Sequence, residues 1–498
     1  MNRRQFMAAT AGLALSGMVG TKGLGARRAA AETGKRPPNI IVVFTDDQGY
    51  ADLGVQGILD DIQTPHIDQM AREGVRFTDG YITAPQCSPS RAGLITGRYQ
   101  QRFGLGHIPD TPMPRDEITI AQRLKEAGYT TGMVGKWHLD ATAISHSWAE
   151  QQDVEFERRP NGHMIIPFPM RREYYPENFG FDEFFVGEMN NYWINYHLDG
   201  SDVEGEGEHF HDEAYRLELQ TDAALAFINR NHDQPFFLYL NYYAPHTPLD
   251  APEEYLERHP GDMPTRRRYG LAMMSAMDDG VGRIIDTLQE HGIDEDTLII
   301  YTSDNGAPLR LTMVDSPIDT DHGGWCGSRN DPLVGEKGML TDGGIRVPFV
   351  MRWKGTLPEK TVYREPISAL DIAATSIAIA GLDEAPELDG TNLMPYLLGE
   401  KDGAPHEALF WRFWTQTAIR KDKWKYLTVG DRVEYLFDMS SEHHENENLI
   451  EEHPEIAAEL RAELEDWAAE LINPVGIPTG PLNPQEIGWY NHHCGADL

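Results

Sequence analysis

The 498-residue chain predicts an α/β fold, in which a large, mostly parallel sheet is sandwiched by helices and followed by a smaller α+β C-terminal subdomain. Three observations carry this reading. Residues 39–44, Asn-Ile-Ile-Val-Val-Phe, form a continuous apolar run, as in a strand buried on both faces. Strand-like and helix-like segments then alternate, the pattern of a parallel sheet covered by helices. Beyond about residue 395 the alternation gives way to several short strands in succession and one long helix.

The individual elements follow from the same signals. A helix is predicted over 64–74. An amphipathic helix over 118–128 ends at Gly128 and leads into a strand at 129–134. A helix over 217–229 precedes a strand at 236–243, introduced by Pro235, and a helix over 274–291 precedes a strand at 297–302. Residues 140–215, rich in charge, aromatic rings and Asn, read as insertions over one face. Short strands are expected at 408–413, 417–420, 424–428 and 434–438, then a helix over 455–471 and a Pro-rich tail. The expected organisation is a leader at 1–31, a main domain at 37–395 and a subdomain at 396–498.

Composition narrows the partners. The net charge is −36, and the first 31 residues contain Arg3, Arg4, Lys22, Arg27 and Arg28 but no acid, so the remainder is more acidic still. Nucleic acid and anionic membrane both need a positive footprint, so neither is an expected partner. Any anion site must be made positive locally. Arg3-Arg4 before Phe6, a weakly apolar stretch at 8–19 and Arg27-Arg28-Ala29-Ala30-Ala31 read as a twin-arginine export signal with a small-residue cleavage site. The apolar stretch is too short to span a bilayer. A periplasmic or secreted protein without a membrane span is therefore expected. Three cysteines, Cys87, Cys326 and Cys494, exclude a disulfide scaffold. One Cys326–Cys494 bridge or two core thiols both remain open.

Four predicted buried strands end in unusual polar groups: Asp46-Asp47, Lys136-Trp137-His138, Pro245-His246 and Asp304-Asn305-Gly306. Singly each reads as a turn or a satisfied core residue. Together they matter, because ligand sites in open α/β sheets form beyond the carboxyl ends of the strands. Asp46, Asp47, Asp304 and Asn305 offer only oxygen, which suits Ca²⁺ or Mg²⁺ rather than zinc. Ser88, Pro89 and Ser90 read as the start of a helix carrying Arg91, so Cys87 lies at a helix N-terminus beside a fixed cation. With Lys136, His138, His246 and a hard cation, this makes a pocket for a compact anion with several oxygens.

Cys87-Ser88-Pro89-Ser90-Arg91, continuing through Ala92-Gly93-Leu94-Ile95-Thr96-Gly97, resembles the signature of formylglycine-dependent (type I) sulfatases, of the alkaline phosphatase-like superfamily. The resemblance extends to Asp46-Asp47, to the run from Gly135 to Leu139, to Pro245-His246 and to Asp304-Asn305-Gly306. It continues through Lys337, the run from Gly343 to Pro348, Asp389-Gly390 and Trp424-Lys425-Tyr426, nearly the whole chain beyond the leader. It implies that a maturation enzyme reads Cys-x-Pro-x-Arg and oxidises Cys87 to formylglycine. The hydrated aldehyde would attack sulfur with one hydroxyl, and the other would expel sulfate. It further implies one Ca²⁺ held by Asp46, Asp47, Asp304, Asn305 and residue 87. Arg91 would hold the diol, Lys136 and Lys337 would bind sulfate oxygens, His246 with Lys337 would assist the leaving alcohol, and His138 would act as base. The chain departs from the family pattern at Asp140, at Asp342 before the Gly pair, and in the loop 321–331.

The expected substrate is a sulfated carbohydrate. Tyr192 and Trp193 in one insertion, and Trp325 and Arg329 in another, are the expected sugar-binding residues, the rings for stacking and the guanidinium for a neighbouring sulfate or carboxylate. Two alternatives stand beside this reading. One is a phosphonate or phosphate ester hydrolase on the same scaffold. The other is a catalytically silent carbohydrate-binding relative, which would have lost one of Cys87, Arg91, Lys136, His138 or Lys337; none is lost.

Overall fold

The computed structural model describes residues 36–318, 323–441, 444–472 and 481–498. The expected leader at 1–31 therefore lies outside the described residues, as do Asp321 and His322 of the loop 321–331. Among the described residues, ten strands form one sheet. Its order from edge to edge is Thr361–Tyr363, Val75–Phe77, Phe349–Arg352, Thr297–Ser303, Asn39–Asp46, Phe236–Pro245, Thr130–Gly135, Glu183–Gly187, Asn191–Ile194 and Glu208–His211. The five strands from Thr297–Ser303 to Glu183–Gly187 are mutually parallel. The strand Phe349–Arg352 is antiparallel to both its neighbours.

The apolar run at the centre explains the layers. In Asn39–Asp46, Ile40, Val42 and Phe44 enter one core and Ile41 and Val43 the other. Such a strand is stable only with a helical layer on each face. The helices Arg216–Asn231 and Thr265–Glu290 pack together over one face. On the other lie Cys87–Thr96, Ile120–Glu126 and Asp371–Ile379. The strands Ala408–Phe413, Gln416–Lys421, Trp424–Val429 and Val433–Asp438 form a separate antiparallel sheet. The helix Pro454–Ala469 covers it through a third core built on Leu460, Leu464 and Trp467. No helix among the described residues is long and apolar enough to cross a membrane.

Three regions differ from the sequence-based expectation. Residues 140–215 are not only insertions: they supply three strands that extend the main sheet. The last two are four residues long and partly exposed, so their apolar alternation is weak and strand pairing decides them. The helix expected from 274 begins at Thr265, across Arg266, Arg267 and Arg268. Arg267 is buried there against Asp52 at 2.8 Å and Asp61 at 2.7 Å, partners remote in sequence. The Pro-rich tail contains the helix Pro484–Cys494. Asn483 caps it in a capping box with Glu486, and Pro484 takes the first position, where its missing N–H costs nothing. Asn-Pro-Gln-Glu was thus a readable helix start. All three cysteines are free thiols. Cys326 is buried and directs its thiol at the carbonyl of Asp47, 3.6 Å away.

Candidate active site

The strands Thr297–Ser303, Asn39–Asp46, Phe236–Pro245 and Thr130–Gly135 are parallel neighbours, so their carboxyl ends share one edge of the sheet. Register makes those ends level: Thr45 lies opposite Ser303, Asp46 opposite Pro245, and Gly135 opposite Asn241. This brings together all the residues predicted from the four strand ends. Two of them sit on unusual backbone. Asp47 and His138 have φ of 66° and 57°, values that non-glycine residues seldom adopt and that cluster where a site demands them. Close approach of a second segment completes the edge. A Cβ on Gly306 would lie 1.9 Å from the carbonyl of Gly343, so only glycine lets the turn at Gly343-Gly344 pack beside Asn305.

Cys87 is the first residue of the buried helix Cys87–Thr96 and is 1% exposed. Its Sγ lies 3.1 Å from Lys337 Nζ and 3.5 Å from Asp46 Oδ1. One turn on, Arg91 donates to Asp304 Oδ2 at 2.7 Å, Asn241 Oδ1 at 2.9 Å and the Lys136 carbonyl at 3.1 Å. Lys136 Nζ binds Asp46 Oδ2 at 2.6 Å, and Lys337 Nζ binds Asp47 Oδ1 at 2.5 Å. His246 Nε2 lies 3.7 Å from Asp47 Oδ2, while its Nδ1 is bonded to the Thr247 carbonyl at 2.5 Å. Asn241 was missed from sequence. Its signal was a lone amide inside the apolar run Phe-Phe-Leu-Tyr-Leu-Asn-Tyr-Tyr, which is what a buried guanidinium needs as a partner.

Charge organises the centre. Burial pushes the Cys87 thiol far up, with Asp304 adding to the effect, so the thiol stays protonated and is a poor nucleophile as it stands. Burial would raise Asp46 as well, but Lys136, His246 and Arg91 together hold it well below the usual carboxylate range. Asp304 goes the other way, pushed up to about 6 by burial and by its neighbour Asp46 despite Arg91. Burial, then Lys136 and Arg91, hold His138 well below the usual histidine range, so its ring is neutral. Its Nδ1 is buried without a partner.

The donor set fits a hard cation. Asp46, Asp47 and Asp304 are crowded carboxylates, and Asn305 Oδ1 is buried without a partner. Ligand atoms of Asp46, Asp47, Cys87 and His246 all lie within 4.8 Å of one another. A divalent ion would relieve the repulsion between these acids and satisfy the amide oxygen. After chelation, adding back Ca²⁺ is expected to raise the melting temperature. A concentration one hundred times Kd corresponds to about 2.7 kcal/mol. Asp304→Ala is expected to need far more Ca²⁺ for the same rise. Two zinc ions per chain by metal analysis would overturn the oxygen-ligand reading.

The expected sugar-binding residues are divided. A cavity of about 540 Å³ opens beside Lys136 and His138, and Tyr192 and Trp193 line it with Arg171 and Glu188. Asp140, one of the departures from the family pattern, also lines it and holds Arg171 Nε at 2.8 Å. Trp325 is instead 4% exposed, with its indole N–H spent on the Ser328 carbonyl at 2.6 Å. It packs the loop and presents no face for stacking. Arg329 makes a two-pronged pair with Asp331 at 2.8 and 3.0 Å. Among the described residues, neither Trp325 nor Arg329 lines the cavity beside Lys136 or the one beside Lys337.

The centre thus joins a buried cysteine at a helix start to two lysines and two histidines around carboxylates, and comparison with known proteins places the chain in a family. The family model described as Sulfatase matches residues 38–382, and one described as N-sulphoglucosamine sulphohydrolase, C-terminal, matches residues 335–470. The chain belongs to the sulfatase family. It is 31% identical to arylsulfatase J of Mus musculus, over 81% of this chain and 66% of that protein. It is 33% identical to N-acetylgalactosamine-6-sulfatase of Mus musculus, over 73% of this chain and 66% of that one. The chain thus spans about two thirds of the length of these relatives. Among solved structures, Ps i-CgsB in complex with k-i-k-neocarrahexaose is 28% identical with a TM-score of 0.70, covering 92% of this chain and 97% of that one. Phosphonate monoester hydrolase of Agrobacterium radiobacter, 20% identical with a TM-score of 0.59 over 87% of this chain and 96% of that one, shares the fold alone.

Proposed function

We propose that this protein hydrolyses sulfate esters on a sulfated carbohydrate, using formylglycine formed from Cys87 and one Ca²⁺. The observation that carries the reading is the meeting of Cys87 Sγ with Lys337 Nζ at 3.1 Å at the start of a buried helix that also bears Arg91. The names of its relatives, sulfatases acting on N-acetylgalactosamine 6-sulfate among them, support it. Asp46, Asp47, Asp304, Asn305 and residue 87 would hold the cation. The hydrated aldehyde would supply the nucleophilic oxygen, and the ion would offset negative charge around the sulfate.

The chain's own residues do the rest. Lys136 and Lys337, both held cationic by the acids beside them, bind the sulfate oxygens and stabilise the charge that builds on them. Arg91, fixed by Asp304 and Asn241, holds residue 87 in place. The bond from His246 Nδ1–H to the Thr247 carbonyl fixes that ring, and burial holds it below the usual histidine range, so Nε2 faces the centre as an acceptor; cationic Lys337 passes the proton to the leaving alcohol, with His246 positioned to assist it. Neutral His138, its Nδ1 without a partner, accepts a proton from residue 87 as sulfate departs.

Mass spectrometry of the tryptic peptide ending at Arg91 tests the proposal, using protein co-produced with a maturation enzyme. The aldehyde is expected in place of the thiol. Unmodified cysteine in fully active enzyme would sink the mechanism. Turnover of a phosphonate monoester in preference to a sulfate ester would favour the alternative hydrolase. Export to the periplasm or beyond is part of the proposal and rests on the sequence of residues 1–31 alone.

A further inference from the structure

A second cavity, of about 290 Å³, also reaches the centre. It is lined by Asp47, His246 and Lys337 and also by Trp414 and Trp489. Trp414 also lines a third cavity, of about 260 Å³, together with His107 and Arg412. The indole therefore borders both the cavity that reaches the reaction centre and this third one. Its setting is unusual. Trp414 and Thr415 form the two-residue tip between the antiparallel strands Ala408–Phe413 and Gln416–Lys421. That position favours Gly or Asn, yet the half-buried Trp414 holds a φ of 51° there. Strain of this kind at a bulky residue persists where the surroundings over-determine it. Here Trp489 stacks on the ring at 5.7 Å with an interplanar angle of 16°, and Phe413 at 4.7 Å.

We propose that Trp414 is the apolar wall of a groove that runs from the sulfate centre past the hairpin tip towards Arg412, so that the enzyme takes a sulfated oligosaccharide with at least one sugar beyond the sulfated one. This rests on the sulfatase reading. With Phe413 and Trp489 stacked on it, the half-buried indole is held rigidly and presents the cavities with an apolar edge, along which a sugar can pack at low entropic cost. Lys337 and Arg310 in the nearer cavity and Arg412 in the farther one give the groove cations for an anionic chain, beside the acids Asp47 and Glu336 in the first and Asp110 in the second. The C-terminal subdomain would thereby select the length of the substrate.

The test is competitive inhibition of p-nitrophenyl sulfate hydrolysis by size-fractionated sulfated oligosaccharides of carrageenan, chondroitin and fucoidan, from disaccharide to octasaccharide, or their kcat/KM where they are turned over. Affinity is expected to rise with length beyond the disaccharide. Trp414→Ala should remove about tenfold of that rise while the disaccharide value moves less than twofold, and Trp414→Tyr should restore most of it. An equal change at every length, no dependence on length in the unaltered enzyme, or no inhibition by any oligosaccharide would overturn the groove. Failure of the matured enzyme to hydrolyse p-nitrophenyl sulfate would instead overturn the sulfatase reading.

Discussion

Cys87→Ala is expected to abolish turnover, by at least about 10⁴-fold in kcat, while leaving the melting temperature within a few degrees of the original. The loss follows from chemistry: without residue 87 no nucleophile remains within reach of an ester held by Lys136 and Lys337. The stability follows from packing. Removing one sulfur from a 1%-exposed position opens a gap of about one atom, and Lys337 keeps its bond to Asp47 at 2.5 Å. Cys87→Ser should be active only where the maturation enzyme accepts serine. Steady-state kinetics on an aryl sulfate checks both variants. Residual activity of Cys87→Ala above about one part in a hundred would place the nucleophile elsewhere.

The second large effect is on stability, where the C-terminal sheet docks. Lys425, on the strand Trp424–Val429, is fully buried and donates to Asp342 Oδ1 at 2.8 Å and Glu445 Oε1 at 2.7 Å. Asp342 N–H also donates to Glu445 Oε2 at 2.7 Å, and Arg346 reaches Asp342 at 3.2 Å. Even with Lys425 present, burial pushes Glu445 up to about 7. Lys425→Met would leave buried Glu445 without its cationic partner and Asp342 paired to Arg346, and a loss of about 3–5 kcal/mol is expected. Thermal and urea unfolding measure it. Adding Glu445→Gln in the same chain should recover a large part, because it removes one uncompensated acid. A loss below about 1 kcal/mol, or no recovery, would show that the network is solvated. Activity should fall with stability, since Asp342 opens the turn whose Gly344 carbonyl accepts from Gly306 N–H at 3.0 Å, next to Asn305.

Much of this site was legible without coordinates because its chemistry is carried by short runs at strand ends. A strand buried on both faces must be apolar throughout, so Asp46-Asp47 after Phe44 and Asp304-Asn305 after Ser303 stand out against it. Parallel strands then have one place to end together. The weaker parts were those whose residues look polar until they are paired. Arg266 and Arg267 hid the first turns of a long helix because their buried partners are remote in sequence. The helix Pro484–Cys494 was masked by its proline-rich approach, although Trp489 packs against Gly338, directly after Lys337. Trp325 looked like a sugar platform because an aromatic ring in a polar loop has no fixed orientation in sequence; the fold turned it inward onto the Ser328 carbonyl.

The sequence by itself determined the layered α/β class, the identity of the centre's acids, lysines and histidines, and the family, since each depends on residue type and local spacing. Tertiary structure alone decided which partners share a charge, which aromatic rings face the cavities and how the C-terminal sheet meets the centre. Those outcomes depend on distances between residues far apart in the chain, as Arg91 with Asp304, 213 positions away, and Lys425 with Asp342, 83 positions away, show. Burial sets the worth of each such charge, and burial is a property of the packed molecule, not of any segment within it.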